Sequence, residues 1–270
     1  MKTNYFLIIF SLLTFTGYSQ NSNEDWVTYI EQKEKGLMVK SVNLNYDYAR
    51  PNYKNLLIVG TNTRECLKNG YPKDFGLSKF YMFSDSIATI VNSLTKNRLV
   101  GVQTYQCSGF DIYYIKDTIN VRASIQHFLE YNYILSKNYL MLKTDKKWQH
   151  YKEVLFPKNL SDSFFNDHTF LNELVIEGDD LTESRKIEHW IHFRREKGRQ
   201  VFINEVKKLN FVIDSIKFKK GKSFPYELKI SRKDKVLPDS IAELTLVLKK
   251  LAVTSYGIYD GWGTEPVIKD

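Results

Sequence analysis

Apolar and polar residues alternate from Trp26 to Ile30 and again from Leu37 to Leu44, on either side of a charged turn ending in Gly36. A period of two marks half-buried strands, so the pair predicts a β-hairpin. Leu56 to Thr61 is a short apolar run and predicts a strand. From Leu77 to Leu94 the period changes to that of a helix, with Phe80, Ser84, Ile87, Val91 and Leu94 on one stripe. Leu99 to Tyr105 and Phe110 to Ile115 predict strands around a turn containing Gly109. Asn120 to Tyr131 predicts a helix with Val121, Ile125, Phe128 and Leu129 inward, and Ile134 to Leu142 a further strand.

Trp148 to Phe156 has a helical pattern that stops at Pro157, and Phe164 to Val175 predicts a second short helix in a linking region. The order strand, helix, two strands, helix, strand then recurs. Its parts are Ile187 to Phe193, Glu196 to Leu209, Phe211 to Phe218, Phe224 to Ser231, Ser240 to Tyr256 and Ile258 to Val267. Ser240 and Glu243 have capping-box spacing, and Gly257 is placed to stop the helix. The fold class is therefore α+β, with two ferredoxin-like β-α-β-β-α-β domains in tandem, the first carrying an extra N-terminal β-hairpin. The expected division is a signal peptide at 1–19 and domains at 20–157 and 158–270.

Composition supports packed cores: of 270 residues, 43% are hydrophobic and 14% aromatic. The formal charge of +8 arises from 39 basic and 31 acidic residues mixed along the chain, which points only weakly to an acidic partner. Lys2, the short apolar run Phe6 to Phe15 and the small residues around Gly17-Tyr18-Ser19 form a secretory signal pattern. The mature chain is then expected to be periplasmic or secreted, with no transmembrane segment after cleavage.

Export permits a disulfide between Cys66 and Cys107. They follow strands about 10 Å apart, whereas a bond needs Cα atoms within about 7 Å. Loop residues can close that gap, so bonded and free forms both stay open. Lys219-Lys220-Gly221-Lys222-Ser223 contains Gly-Lys-Ser, but Ile216 stands where a phosphate-binding loop needs its first glycine, and the segment joins two strands. Glu177, Asp179, Asp180 and Glu183 lack calcium-loop spacing and read as solvated loop acids, one of them capping a short turn. No catalytic motif, metal set or cofactor signature is found, so no enzyme, metal or cofactor is expected.

His189 and His192 lie three apart on one strand and face opposite sides, so they cannot share a metal. His189 goes with Ile187, Ile191 and Phe193 to the core. Trp190 and His192 face the side without helices. That side must be wet or be covered by another domain, and an exposed Trp there points to interdomain packing in preference to a partner. The same fold gathers Arg194, Arg195, Lys197 and Arg199 with Lys219, Lys220 and Lys222 at one edge, where an anionic surface is possible but no specific nucleic acid is predicted. Tyr259, Asp260 and Trp262 lie beside it in Tyr-Asp-Gly-Trp-Gly-Thr, residues 259–264, whose glycines suit a bulge or close approach.

That last motif, with Leu174 to Phe193 (LVIEGDDLTESRKIEHWIHF) and Leu209-Asn210-Phe211-Val212, resembles the RraB family of regulators of ribonuclease E activity. The first half, including Trp148 to Pro157, resembles domain-of-unknown-function family 695. The resemblance implies a ferredoxin-like module that binds a protein and inhibits it without catalysis. The signal pattern and basic balance separate this chain from the cytoplasmic ribonuclease, so the expected function is an exported, non-enzymatic binding protein. The alternatives are a binder of anionic envelope components through the basic edge, or an enzyme with a site at the domain junction.

Overall fold

The computed structural model describes residues 24–46 and 51–268; the expected signal segment lies outside the described residues. It is a mixed α+β structure with two antiparallel sheets. The first holds β1 (Trp26–Lys33), β2 (Gly36–Asn43), β3 (Asn55–Asn62), β4 (Asn97–Tyr105), β5 (Ser108–Ile115) and β6 (Tyr139–Thr144) in the order β1-β2-β4-β5-β3-β6. Helices α1 (Asp74–Leu94) and α2 (Val121–Asn132) cover one of its faces. The second sheet holds β7 (Arg185–Phe193), β8 (Val212–Phe218), β9 (Tyr226–Asp234) and β10 (Gly257–Gly263) in the order β10-β7-β9-β8. Its helices are α4 (Glu196–Lys208) and α5 (Pro238–Thr254). Both connectivities are consistent with the expected ferredoxin-like tandem, with the β1–β2 hairpin added at the β4 edge.

The helices form where the apolar stripe requires them. In α1, Phe80, Phe83, Ile87 and Val91 are buried at helical spacing, and Thr95 turns extended to end the run. Several local expectations are corrected. The β4–β5 turn is Gln106-Cys107, both with left-handed φ (50° and 58°), while Gly109 lies within β5. A Cβ on Gly109 would meet the Phe80 ring at 2.9 Å, so this glycine serves packing. Helix α5 starts at Pro238 and its Leu237 cap makes no side-chain bond; Ser240 and Glu243 fall inside the helix. Proline at the first position fixes the start, with the cap three residues earlier than the capping spacing suggested. Tyr256 takes the left-handed conformation (φ 57°), and Gly257 opens β10 against the Phe193 ring. Ile134 and Leu135 precede β6 in an exposed turn.

The face of the first sheet away from α1 and α2 is also covered. Residues 148–156, including a π-helical turn at Tyr151–Leu155, fold back over it. Trp148 stacks on Tyr114 with ring centroids 3.9 Å apart, and its indole N–H donates to Tyr53 O at 2.6 Å. Tyr151 donates to Asn43 O and Tyr29 to Leu155 O, both at 2.6 Å, so the polar ends of these rings are satisfied where they are buried.

The expected linking helix, α3 (Asp162–Ile176), is the joint of the molecule. Leu171, Leu174 and Val175 share one apolar cluster with Ile30, Leu37 and Val39 from the hairpin and Leu181, Ile187, Val236 and Ile241 from the second half. Ile30 N–H donates to His168 Nδ1 at 3.0 Å, so α3 closes the outer edge of β1. Asn69 donates to Val175 O at 2.7 Å and to Asp179 O at 2.9 Å. Asp179 is fully buried, against the solvated-acid expectation. Its carboxylate takes Arg185 and the N–H groups of Leu181 and Val267, which hold it below the usual carboxylate range against the cost of burial.

Candidate functional site

Strand β7 alternates strictly. Ile191 and Phe193 are buried under α4 and α5, Ile187 joins the cluster around α3 and His189 is buried on the same side, while Lys186, Glu188, Trp190 and His192 point to the other side. Register brings Lys229 opposite Trp190 and Glu227 opposite His192 on β9, with Ser215 and Lys217 beyond them on β8. Among the described residues this side carries no covering element comparable to residues 148–156. Trp190 stays 36% exposed at its centre. The expectation that the first domain covers Trp190 and His192 is therefore corrected: the joint uses α3 and the hairpin instead.

The face is a lattice of paired charges around one aromatic ring. Lys229 Nζ lies 5.4 Å above the Trp190 ring and 2.6 Å from Glu188, which it holds below the usual carboxylate range. Lys186 bridges Glu188 at 3.1 Å and Asp214 at 3.0 Å. His192 sits between Asp260 (3.3 Å) and Glu227 (3.7 Å), and Lys219 reaches Glu227 at 2.7 Å. A shallow cavity of about 350 Å³ lies beside Trp190, bounded by His192, Lys217, Lys219, Glu227 and Asp260. It offers an aromatic floor and a rim of both charge signs. Such a surface suits a protein contact better than a small apolar ligand.

A bulge decides where the Tyr-Asp-Gly-Trp motif points. In β10, Tyr259 pairs with Ile191 and Gly261 with Trp190, so Asp260 is the extra residue. The added residue shifts parity, and Tyr259 and Trp262, three apart, both turn to the helix side. Tyr259 Oη is 2.8 Å from His189 Nδ1, and burial pushes its phenol well up. Trp262 donates to Asp167 Oδ1 at 2.8 Å and meets Phe170 edge-on. Both are thus removed from the expected interaction set, and Asp260 alone of the motif stays on the open face. His189 is buried and pushed down to about 4 by desolvation; its Nε2 has no hydrogen-bond partner among the described residues, so the core histidine is only half satisfied.

The basic edge is brought together in part. Arg194 lies over the Phe224 ring at 5.0 Å, joining the β7–α4 loop to the β8–β9 turn. Arg199 is buried and donates to Lys217 O and Glu196, so it is a structural clamp and leaves the candidate set. Lys219 is engaged by Glu227, while Arg195, Lys197, Lys220 and Lys222 remain exposed. Sequence reasoning missed Glu188, Lys229, Glu227 and Asp214. The alternation of β7 flags Glu188; the others depend on strand register, which no local pattern reveals. Cys66 and Cys107 are bonded, with Cα atoms 5.7 Å apart. The junction between the halves is built around the apolar cluster of α3, with the Asp179–Arg185 pair and His168 engaged beside it.

Residues 166–264 match the family model Regulator of ribonuclease activity B. Residues 24–156 match the Family of unknown function (DUF695), so the two resemblances stand in the expected order. The RraB match includes α3 from residue 166 and the open face up to Thr264. No curated protein matches the chain. Among solved structures, an unknown protein from Galdieria sulphuraria is 7% identical, with 77% of this chain and 96% of that one covered at a TM-score of 0.20. A "putative glycine cleavage system transcriptional repressor" is 10% identical, with 78% and 98% covered at a TM-score of 0.22. Among the described residues no helix is long and apolar enough to cross a membrane.

Proposed function

We propose that this chain is an exported, non-enzymatic regulator, built from two ferredoxin-like domains, that binds a protein partner through the open face of its RraB-like sheet. The observation that carries this is the second face of the sheet, which among the described residues no element covers and on which Trp190 stays partly exposed. The regulator name of the matched family supports a protein partner. The paired charges support specificity, since each cation and carboxylate on the face would have to meet a complementary group. The Cys66–Cys107 bond and the N-terminal signal pattern support an oxidising compartment.

The test uses the chain from Gln20 onward as bait beside its Trp190→Ala variant. One protein retained by the first and lost by the second is the expected result. Equal recovery by both would show that the face is not the docking surface. Finding the full-length chain in the cytoplasm with reduced thiols would overturn the export part and leave the binding part standing.

A further inference from the structure

Ile134 and Leu135 form the tip of the turn between α2 and β6, where Ser136 N–H returns to Tyr133 O at 2.9 Å. They are 77% and 91% exposed. The turn is nonetheless pinned: Lys79 of α1 donates to Ser136 Oγ at 3.2 Å and Asn62 O at 3.3 Å, with its ammonium 5.8 Å above the Tyr133 ring. Phe75 and Met82 lie one helical turn before and after Lys79, on its side of α1 and off the buried stripe, and both are exposed. Tyr131, near the end of α2, is also exposed. An ordered turn therefore holds apolar groups out into water around a lysine that is itself engaged.

We propose that this tip is a wedge that enters an anionic lipid surface. The apolar side chains project from a turn and do not line a groove, so a deformable apolar phase accommodates them where a partner protein would need a matching pocket. Tyr131 has the amphipathic form that sits at headgroup level. The exposed Lys73 and Lys137 at the margin are balanced by Asp74 and Glu130, so the attraction to an anionic surface is the weak long-range one of the chain's excess of basic over acidic residues, 39 against 31. The tip is separate from the Trp190 cavity, so either proposal can fail alone.

The test is sedimentation of the chain from Gln20 onward with vesicles of equal parts phosphatidylglycerol and phosphatidylcholine. Binding is expected, weakened by high salt and reduced about tenfold or more in the Ile134→Ser/Leu135→Ser double variant. Both positions are exposed, so the thermal transition of the variant should match the parent. A Leu135→Cys variant carrying an environment-sensitive fluorophore should shift to the blue on vesicle addition, while Trp190→Ala should bind vesicles as the parent does. Absent binding, binding that the double variant retains, or an unshifted label would each overturn the proposal. Self-association of the parent that the double variant abolishes, without vesicle binding, would assign the tip to a protein contact instead.

Discussion

The two sheets share a connectivity and differ in what lies on their second face. In the first sheet, residues 148–156 return across it, with Trp148 fully buried on Tyr114. In the second, the corresponding face holds Trp190 among ion pairs and stays in contact with water. The chain thus uses one tryptophan to seal a core and another to present a surface. The difference follows from neighbours: Trp148 finds an apolar sheet face bearing Leu56, Ile58 and Ile112, while Trp190 is flanked by Glu188, His192 and Lys229. An element covering the second face would have to desolvate those charges, which costs more than their pairing returns unless the cover is complementary.

That contrast can be broken by substitution. Trp148→Ala should cost about 3–5 kcal/mol in urea unfolding, the usual range for emptying a buried aromatic site. A loss below about 1 kcal/mol would mean that the cover is dispensable. Buried titratable groups sharpen the comparison, because the helix sides of the two sheets respond to pH in opposite senses. Asp111, in the first sheet, is fully buried with Ser84 Oγ 2.7 Å away, and desolvation pushes it up to about 7. Its folded value lies above its unfolded one, so its contribution is complete below the normal carboxyl range and is lost as pH rises through about 7. The span corresponds to about 4 kcal/mol. Asp111→Asn should flatten the decline in the urea midpoint between acid and mildly alkaline pH.

His189, in the second sheet, has a folded value of about 4, below its ordinary one. Its contribution is present above the normal histidine range and is lost as pH falls toward 4, over a span of about 3 kcal/mol. His189→Phe should remove that part of the acid sensitivity, leaving the part due to His168, which burial also lowers to about 4. The smallest effect is expected at the exposed tryptophan: Trp190→Ala should change stability by about 1 kcal/mol or less. A larger loss would show that the open face is a hidden core element, and the comparison would collapse.

The elements were legible because their periodicities are strong. The stripe Phe80, Ile87, Val91 and the alternation Ile187, His189, Ile191, Phe193 each name a buried face without help from the rest of the chain. Boundaries failed where backbone conformation, not hydropathy, decided. Gln106, Cys107 and Tyr256 take left-handed φ without being glycine, so the nearby Gly109 and Gly257 drew the turn to the wrong residue. The candidate site was half legible. Trp190 and His192 were found by strand parity and Asp260 by its motif; Tyr259 already pairs with Ile191 on the helix side, and the bulged Asp260 shifts the parity after it so that Trp262 returns to that side. The role of α3 was invisible, since its apolar residues say that it is buried but not against which half.

The hydrogen bond from Ile30 to His168 has a consequence for modularity. The two family matches meet between residues 156 and 166, as though the halves were interchangeable parts. Yet the exposed rim of the first half is completed by an acceptor on a helix belonging to the second match. A recombined protein that kept residues 24–156 and received a different partner module would inherit an unpaired strand edge and an open apolar hairpin. It would have to bring its own helix with an acceptor at the place of His168, or associate through that edge with another chain. A cut at the boundary that sequence families draw would therefore expose the Ile30 N–H and the apolar residues of the hairpin.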